Sequence, residues 1–174
     1  AGNRHADIAI GDVRNCTNNG SIVGTSKGHT IVSDKDAAYN VAIAGIVGDV
    51  RAGGSGNIPY NLVLDNCDNT GKIELTPIPP ADHTTIGMGL TGIGGVAGTF
   101  RSSKSIELDD CDNTGNVTLS AEGMTNKNGM RPYAICVGGV IGCGTLQSGL
   151  GVTLTGHDIT LKNCDNSGTL YNCG

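Results

Sequence analysis

The side chains with chemical potential in this chain are its seven cysteines and a recurring set of aspartates. Four of the cysteines stand in one five-residue frame, C-x-N-x-G: Cys16-Thr17-Asn18-Asn19-Gly20, Cys67-Asp68-Asn69-Thr70-Gly71, Cys111-Asp112-Asn113-Thr114-Gly115 and Cys164-Asp165-Asn166-Ser167-Gly168. Thiolates bind zinc when they come in close C-x-x-C pairs. These cysteines are 51, 44 and 53 residues apart and carry no such pairing. A repeated position instead predicts a column, Cys over Cys at the ~4.8 Å separation of adjacent strands, in which the thiol fills a core as a small apolar group. Disulfides within the column, or a metal held by it, are the two other chemistries that the spacing leaves open. Cys136, Cys143 and Cys173 fall outside the frame and crowd toward the C-terminus. A disulfide from Cys173 to Cys136 or Cys143 would staple that end, and an odd total leaves at least one thiol outside any intrachain pair.

Asp68, Asp112 and Asp165 each follow the cysteine of the frame, with Asp65, Asp109 and Asp110 close by. Stacked carboxylates of this kind could hold calcium, which takes six to eight oxygen ligands. The G-G-x-G-x-D-x nonapeptide of calcium-binding β-rolls is missing, so they read as solvated corner residues and no cofactor is expected. The four histidines, His5, His29, His83 and His157, share no repeat context. No Ser/His/Asp arrangement, phosphate-binding glycine loop or H-E-x-x-H is present. With one Phe, four Tyr and no Trp, the aromatic platforms on which sugars stack are nearly lacking too. The chain therefore reads as non-enzymatic. The competing reading is a carbohydrate-binding or polysaccharide-degrading β-helix, with carboxylates and a basic group on one face.

The flanking pattern gives the elements that would position these residues. Leu62/Leu64, Ile106/Leu108 and Ile159/Leu161 precede the frame, and Ile73/Leu75, Val117/Leu119 and Ile22 follow it. The first copy keeps Val13 at the Leu64 position and has Gly11 in place of Leu62. Alternation on both sides of an Asn-x-Gly turn predicts strand, corner, strand. A second motif comes next: Gly45-Ile46-Val47-Gly48, Gly95-Val96-Ala97-Gly98 and Gly139-Val140-Ile141-Gly142, closing 32, 31 and 31 residues after the cysteine. From there to the next cysteine the distances are 19, 13 and 22, so this variable half carries insertions.

Each unit then supplies three short strands, the third being the glycine-rich one. Such units, turned by Asn and Gly and unable to bury their own faces, predict an all-β chain: a β-solenoid (β-helix) of about three and a half repeats with long inserted loops. A β-sandwich is the alternative. One domain spans 1–174, with units at about 8–58, 59–103 and 104–156 and a partial unit at 157–174. Its structural ladders are Cys16, Cys67, Cys111 and Cys164; Asn18, Asn69, Asn113 and Asn166; and Gly20, Gly71, Gly115 and Gly168. The cysteines should all be buried, and the glycines should take positive φ or sit where a Cβ would clash. Any ligand contact is expected in the inserts at 26–40, 52–60, 77–91, 121–132 and 144–157.

Composition narrows the class further. Glycine supplies 29 of 174 residues without a three-residue period, and only five prolines accompany it, which excludes collagen. Leu, Ile, Val and Phe number 39, about 22%, just above the ~20% below which chains fail to bury a core. A net charge of −5 and a pI near 5.1 argue against nucleic acid and anionic membranes, both of which select clustered Lys and Arg. No uninterrupted apolar run approaches the ~18 residues of a membrane span. The chain opens without Met or a charged-then-apolar leader, as expected of a processed or excised piece.

The succession of C-x-N-x-G, an apolar strand and G-G-[IV]-x-G resembles repeats in large surface proteins of gut Bacteroidetes and Firmicutes. It is similar to the GLUG-type repeats of secreted bacterial proteins. The resemblance runs from about Ile8 to Gly168. It implies a stalk or adhesin module, extracellular or at the bacterial cell surface, with host or glycan ligands as partners. Neither end carries an evident cap, and bare strand edges recruit other strands. Copies are therefore expected to meet end to end as a fibre, or to continue as further repeats of a longer chain.

Overall fold

Side chains that alternate between core and solvent make strands, and the described residues form fourteen strands and no helix. The computed structural model describes residues 9–27, 39–51, 60–78, 88–101, 105–120, 135–145 and 158–173. The first unit contains β1 (Ala9–Asn18), β2 (Ile22–Lys27), β3 (Tyr39–Ala44) and β4 (Val47–Arg51). The second contains β5 (Tyr60–Asn69), β6 (Ile73–Ile78), β7 (Met88–Gly94) and β8 (Ala97–Arg101). The third contains β9 (Ser105–Asp109), β10 (Val117–Ser120), β11 (Ile135–Gly138) and β12 (Ile141–Thr145). Two more strands, β13 (Asp158–Lys162) and β14 (Leu170–Cys173), begin a fourth.

Equivalent strands of successive units pair side by side, always parallel, in four sheets ordered β1-β5-β9-β13, β14-β10-β6-β2, β11-β7-β3 and β12-β8-β4. Parallel neighbours need a long crossover, and here each crossover is the rest of a unit. The sandwich alternative is built from antiparallel strands, which the described pairings lack. The result is an all-β chain of parallel strands in stacked sheets, compatible with a β-solenoid.

Register aligns like with like. Leu64 pairs with Val13 and Leu108, and Leu108 with Leu161; Ile73 pairs with Ile22 and Val117, and Val117 with Leu170. A one-residue slip would turn each apolar set outward, so the alternation locks the stack. Two clusters result. One joins Leu62, Leu64, Cys67, Ile106, Leu108 and Cys111 to Val96, Ala97 and Val140; the other joins Ile73, Leu75, Val117 and Leu119 to Ile93. Each fully buried Leu or Ile contributes about 1.5–3 kcal/mol, and both clusters do without aromatics.

The structure corrects the count of strands per unit. The glycine-rich segment is two strands bent at Gly45-Ile46, Gly95-Val96 and Gly139-Val140, so the described residues of a complete unit hold four strands. The reason is steric. A Cβ on Gly95 would lie 2.1 Å from the Gly139 carbonyl oxygen and 2.2 Å from Asn113 Cγ, so only glycine lets this bend press onto the asparagine column.

Candidate functional site

Asn18, Asn69, Asn113 and Asn166 occupy matching positions in successive layers. Each side-chain amide works in two directions. Asn69 Nδ2 donates to the carbonyl of Gly71 at 2.8 Å, closing its own corner, and to Asn113 Oδ1 at 2.7 Å, in the next layer. Asn18 and Asn113 repeat the pattern, donating to Asn69 Oδ1 and Asn166 Oδ1, each at 2.7 Å. Asn69 and Asn113 are fully buried, and a buried amide is tolerated when its donors and acceptor are satisfied. The chain of amides points one way, from the first layer to the last. The bend glycines seal it from the other side: Gly45 abuts Asn69, Gly95 abuts Asn113 and Gly139 abuts Asn166. The two repeated motifs therefore form one seam between the two apolar clusters.

The cysteine column runs beside it. Cys67 Sγ lies 3.4 Å from the carbonyl of Asp65 in its own layer and 3.4 Å from that of Val13 in the layer before. Cys111 repeats this with Asp109 at 3.3 Å and Leu64 at 3.5 Å. Burial pushes the Cys111 thiol up to about 12 and moves Cys67 and Cys164 in the same direction. A thiol held protonated is a poor nucleophile. The expectation that all four are buried needs correction. Cys67 and Cys111 are fully enclosed, while Cys16 and Cys164 are half-buried because each lies in an outermost layer with a neighbour on one side.

None of the corner glycines has a positive φ; Gly71, Gly115 and Gly168 are fixed by crowding, whereas Gly20 corrects the expectation, having neither a positive φ nor a clash. A Cβ on Gly71, Gly115 or Gly168 would stand 2.0 Å from the carbonyl oxygen of the glycine one layer earlier, whereas at Gly20 the nearest atom is 3.7 Å away. The left-handed backbone sits elsewhere, at Asn15 (φ 54°), Asn66 (52°), Asp110 (50°) and Asn163 (49°). Sequence reasoning missed these four. The signal was available: each is an Asn or Asp directly before the frame's cysteine, the residue types that best tolerate that conformation.

Outside the seam, the polar side chains are also spent on their neighbours. The amide of Asp112 donates to Asp68 Oδ1 at 3.2 Å and that of Asp165 to Asp112 Oδ1 at 2.8 Å. Asn66 Nδ2 donates to Asn15 Oδ1 at 2.8 Å, and Thr70 Oγ1 to Asn19 Oδ1 at 2.7 Å. One column reads Arg14, Asp65, Asp109, Lys162, with a cation at each end. Arg14 pairs with Asp12 at 2.7 Å and with Asp65, and Lys162 with Glu107. Among the described residues, no group of three His, Cys, Asp or Glu side chains converges as a metal site would require. His5, His29, His83 and His157 lie outside the described residues, as do most of the inserts. The side chain of Cys173, which closes β14, is also outside them.

No protein-family model, curated protein or solved structure matches this chain.

Proposed function

We propose that the chain is a non-enzymatic β-solenoid module of about three and a half repeats, a structural and adhesive element outside the bacterial cell. One observation carries the reading: the repeated polar residues bond chiefly to their own counterparts one layer away. Groups committed in this way hold a stack together and are not poised to turn over a substrate. The resemblance to repeats of secreted bacterial surface proteins supplies the extracellular setting.

The last edge supports growth by added layers. Ile159, Leu161 and Leu170 occupy columns whose inner members are enclosed, yet Leu161 is 50% exposed against 0% for Leu108. Asn166 donates to the carbonyl of Gly168, and among the described residues no asparagine stacks on it in a further layer. Asn18 begins the amide chain at the opposite edge. A further repeat would meet this edge in full. A second copy would seat β1 and β2 on β13 and β14, leaving one layer open over β11 and β12, and so would associate reversibly.

Sedimentation velocity tests this over a range of concentrations. Concentration-dependent, linear association that Leu161→Asp abolishes is the expected result. A monomer at every concentration would overturn the end-to-end contact.

A further inference from the structure

Cys136 and Cys143 belong to neither ladder, yet the fold sets them face to face. Cys136 is on β11 and Cys143 on β12, on either side of the Gly139-Val140 bend. Their sulfurs are 2.7 Å apart. That is too close for two sulfurs at rest beside each other, though longer than the ~2.05 Å of a covalent S–S bond. The layer below shows that the approach belongs to these two positions. Cys136 is in register with Gly92 and Cys143 with Thr99. A Cβ built on Gly92 would fall 2.1 Å from Thr99 Cγ2. The first layer places Ala42 and Asp49 at the same stations. Three layers therefore hold three different facing pairs, and the third is a pair of thiols.

We propose that Cys136 and Cys143 form an intralayer disulfide that clasps the last glycine-rich bend, in place of a bridge from either one to Cys173. The edge position gives an oxidant access, because β11 and β12 are the outermost strands of their sheets. Cys136 is half-buried and Cys143 only 7% exposed, so Cys136 reacts first. Its thiolate attacks a small disulfide such as oxidised glutathione and expels one glutathione thiolate. Cys143, deprotonated in turn, displaces the second glutathione from the mixed disulfide. Two protein S–H bonds and one small-molecule S–S bond are consumed, while one protein S–S bond and two glutathione S–H bonds are formed. The small disulfide takes the electron pair, and the two protons end on the released thiols.

The sequence makes the test direct. Trypsin cleavage after Lys127 and Lys162 isolates Cys136 and Cys143 alone on the peptide 128–162, with Cys164 and Cys173 together on 163–174. The folded chain is treated with oxidised glutathione, denatured in iodoacetamide, digested and weighed. The clasp predicts no alkyl group on 128–162 before reduction and two after it. In Cys143→Thr, which installs the residue of the layer below, Cys136 should instead carry glutathione or an alkyl group. Two alkyl groups without reduction, a glutathione retained on 128–162 of the unsubstituted chain, or a link between 128–162 and 163–174 would each overturn the proposal. So would a Cys136 that stays blocked by another cysteine of the chain in Cys143→Thr.

Discussion

At the scale of single residues, the asparagine column is where most is at stake. Asn113 satisfies three partners at once: it accepts from Asn69 Nδ2 and donates to the Gly115 carbonyl and Asn166 Oδ1. Asn113→Ala strands two of these, Asn69 Nδ2 and the Gly115 carbonyl, in a buried seam, at roughly 1–3 kcal/mol for each buried group left unpaired. We expect a loss of about 3 kcal/mol or more in urea denaturation. Asn166→Ala, at an exposed site in the outermost layer, should cost about 1 kcal/mol or less. Equal losses would contradict the layered account. The cysteines allow a pH test with a definite sign. Cys111 has a folded pKa of about 12 against an ordinary value of 9.0. Its contribution is therefore complete below pH 9 and is lost as the pH rises from there toward 12, because the unfolded chain releases the proton first. Cys67 and Cys164 act in the same direction. Denaturation midpoints should fall steadily through this alkaline window, and less steeply in Cys111→Ala.

Elements answer to backbone crowding more than to propensity. Gly115→Ala drives a methyl carbon into the Gly71 carbonyl oxygen at 2.0 Å, while at Gly20 the same methyl has 3.7 Å of clearance. Thermal melts should show Gly115→Ala losing about 3 kcal/mol or more and Gly20→Ala staying within about 0.5 kcal/mol of the parent. Similar Tm values for the two would rule out the stacked corner. This contrast also shows what the sequence could and could not reveal. The alternation of Leu62 and Leu64, or of Val117 and Leu119, marks a buried face without any coordinates. The recurrence of Asn two residues after Cys marks the column. Hidden from the sequence was the bend inside Gly45-Ile46-Val47-Gly48, because glycines that a strand would merely tolerate look the same as glycines pressed against another chain segment. Hidden for the same reason was the facing of Cys136 and Cys143, which depends on the equivalent bend at Gly139-Val140.

For the whole molecule, position in the stack sets the effect of a substitution. Leu108→Asp places a carboxylate inside the closed cluster and should prevent folding, whereas the same change at Leu161, in the same column, should leave the fold intact. Circular dichroism separates the two, and a folded Leu108→Asp would be incompatible with the register. The parallel order of the sheets has a mechanical consequence. The first and last described strands lie at opposite edges, so tension between them pulls along the interlayer hydrogen bonds and loads the layers in series. Layers under such a pull peel one after another instead of shearing together. Each released unit, 44 to 53 residues from cysteine to cysteine, pays out roughly 150–180 Å of chain. In optical tweezers the molecule should lengthen by a short series of such steps at modest force, the behaviour of an extensible tether with sacrificial links.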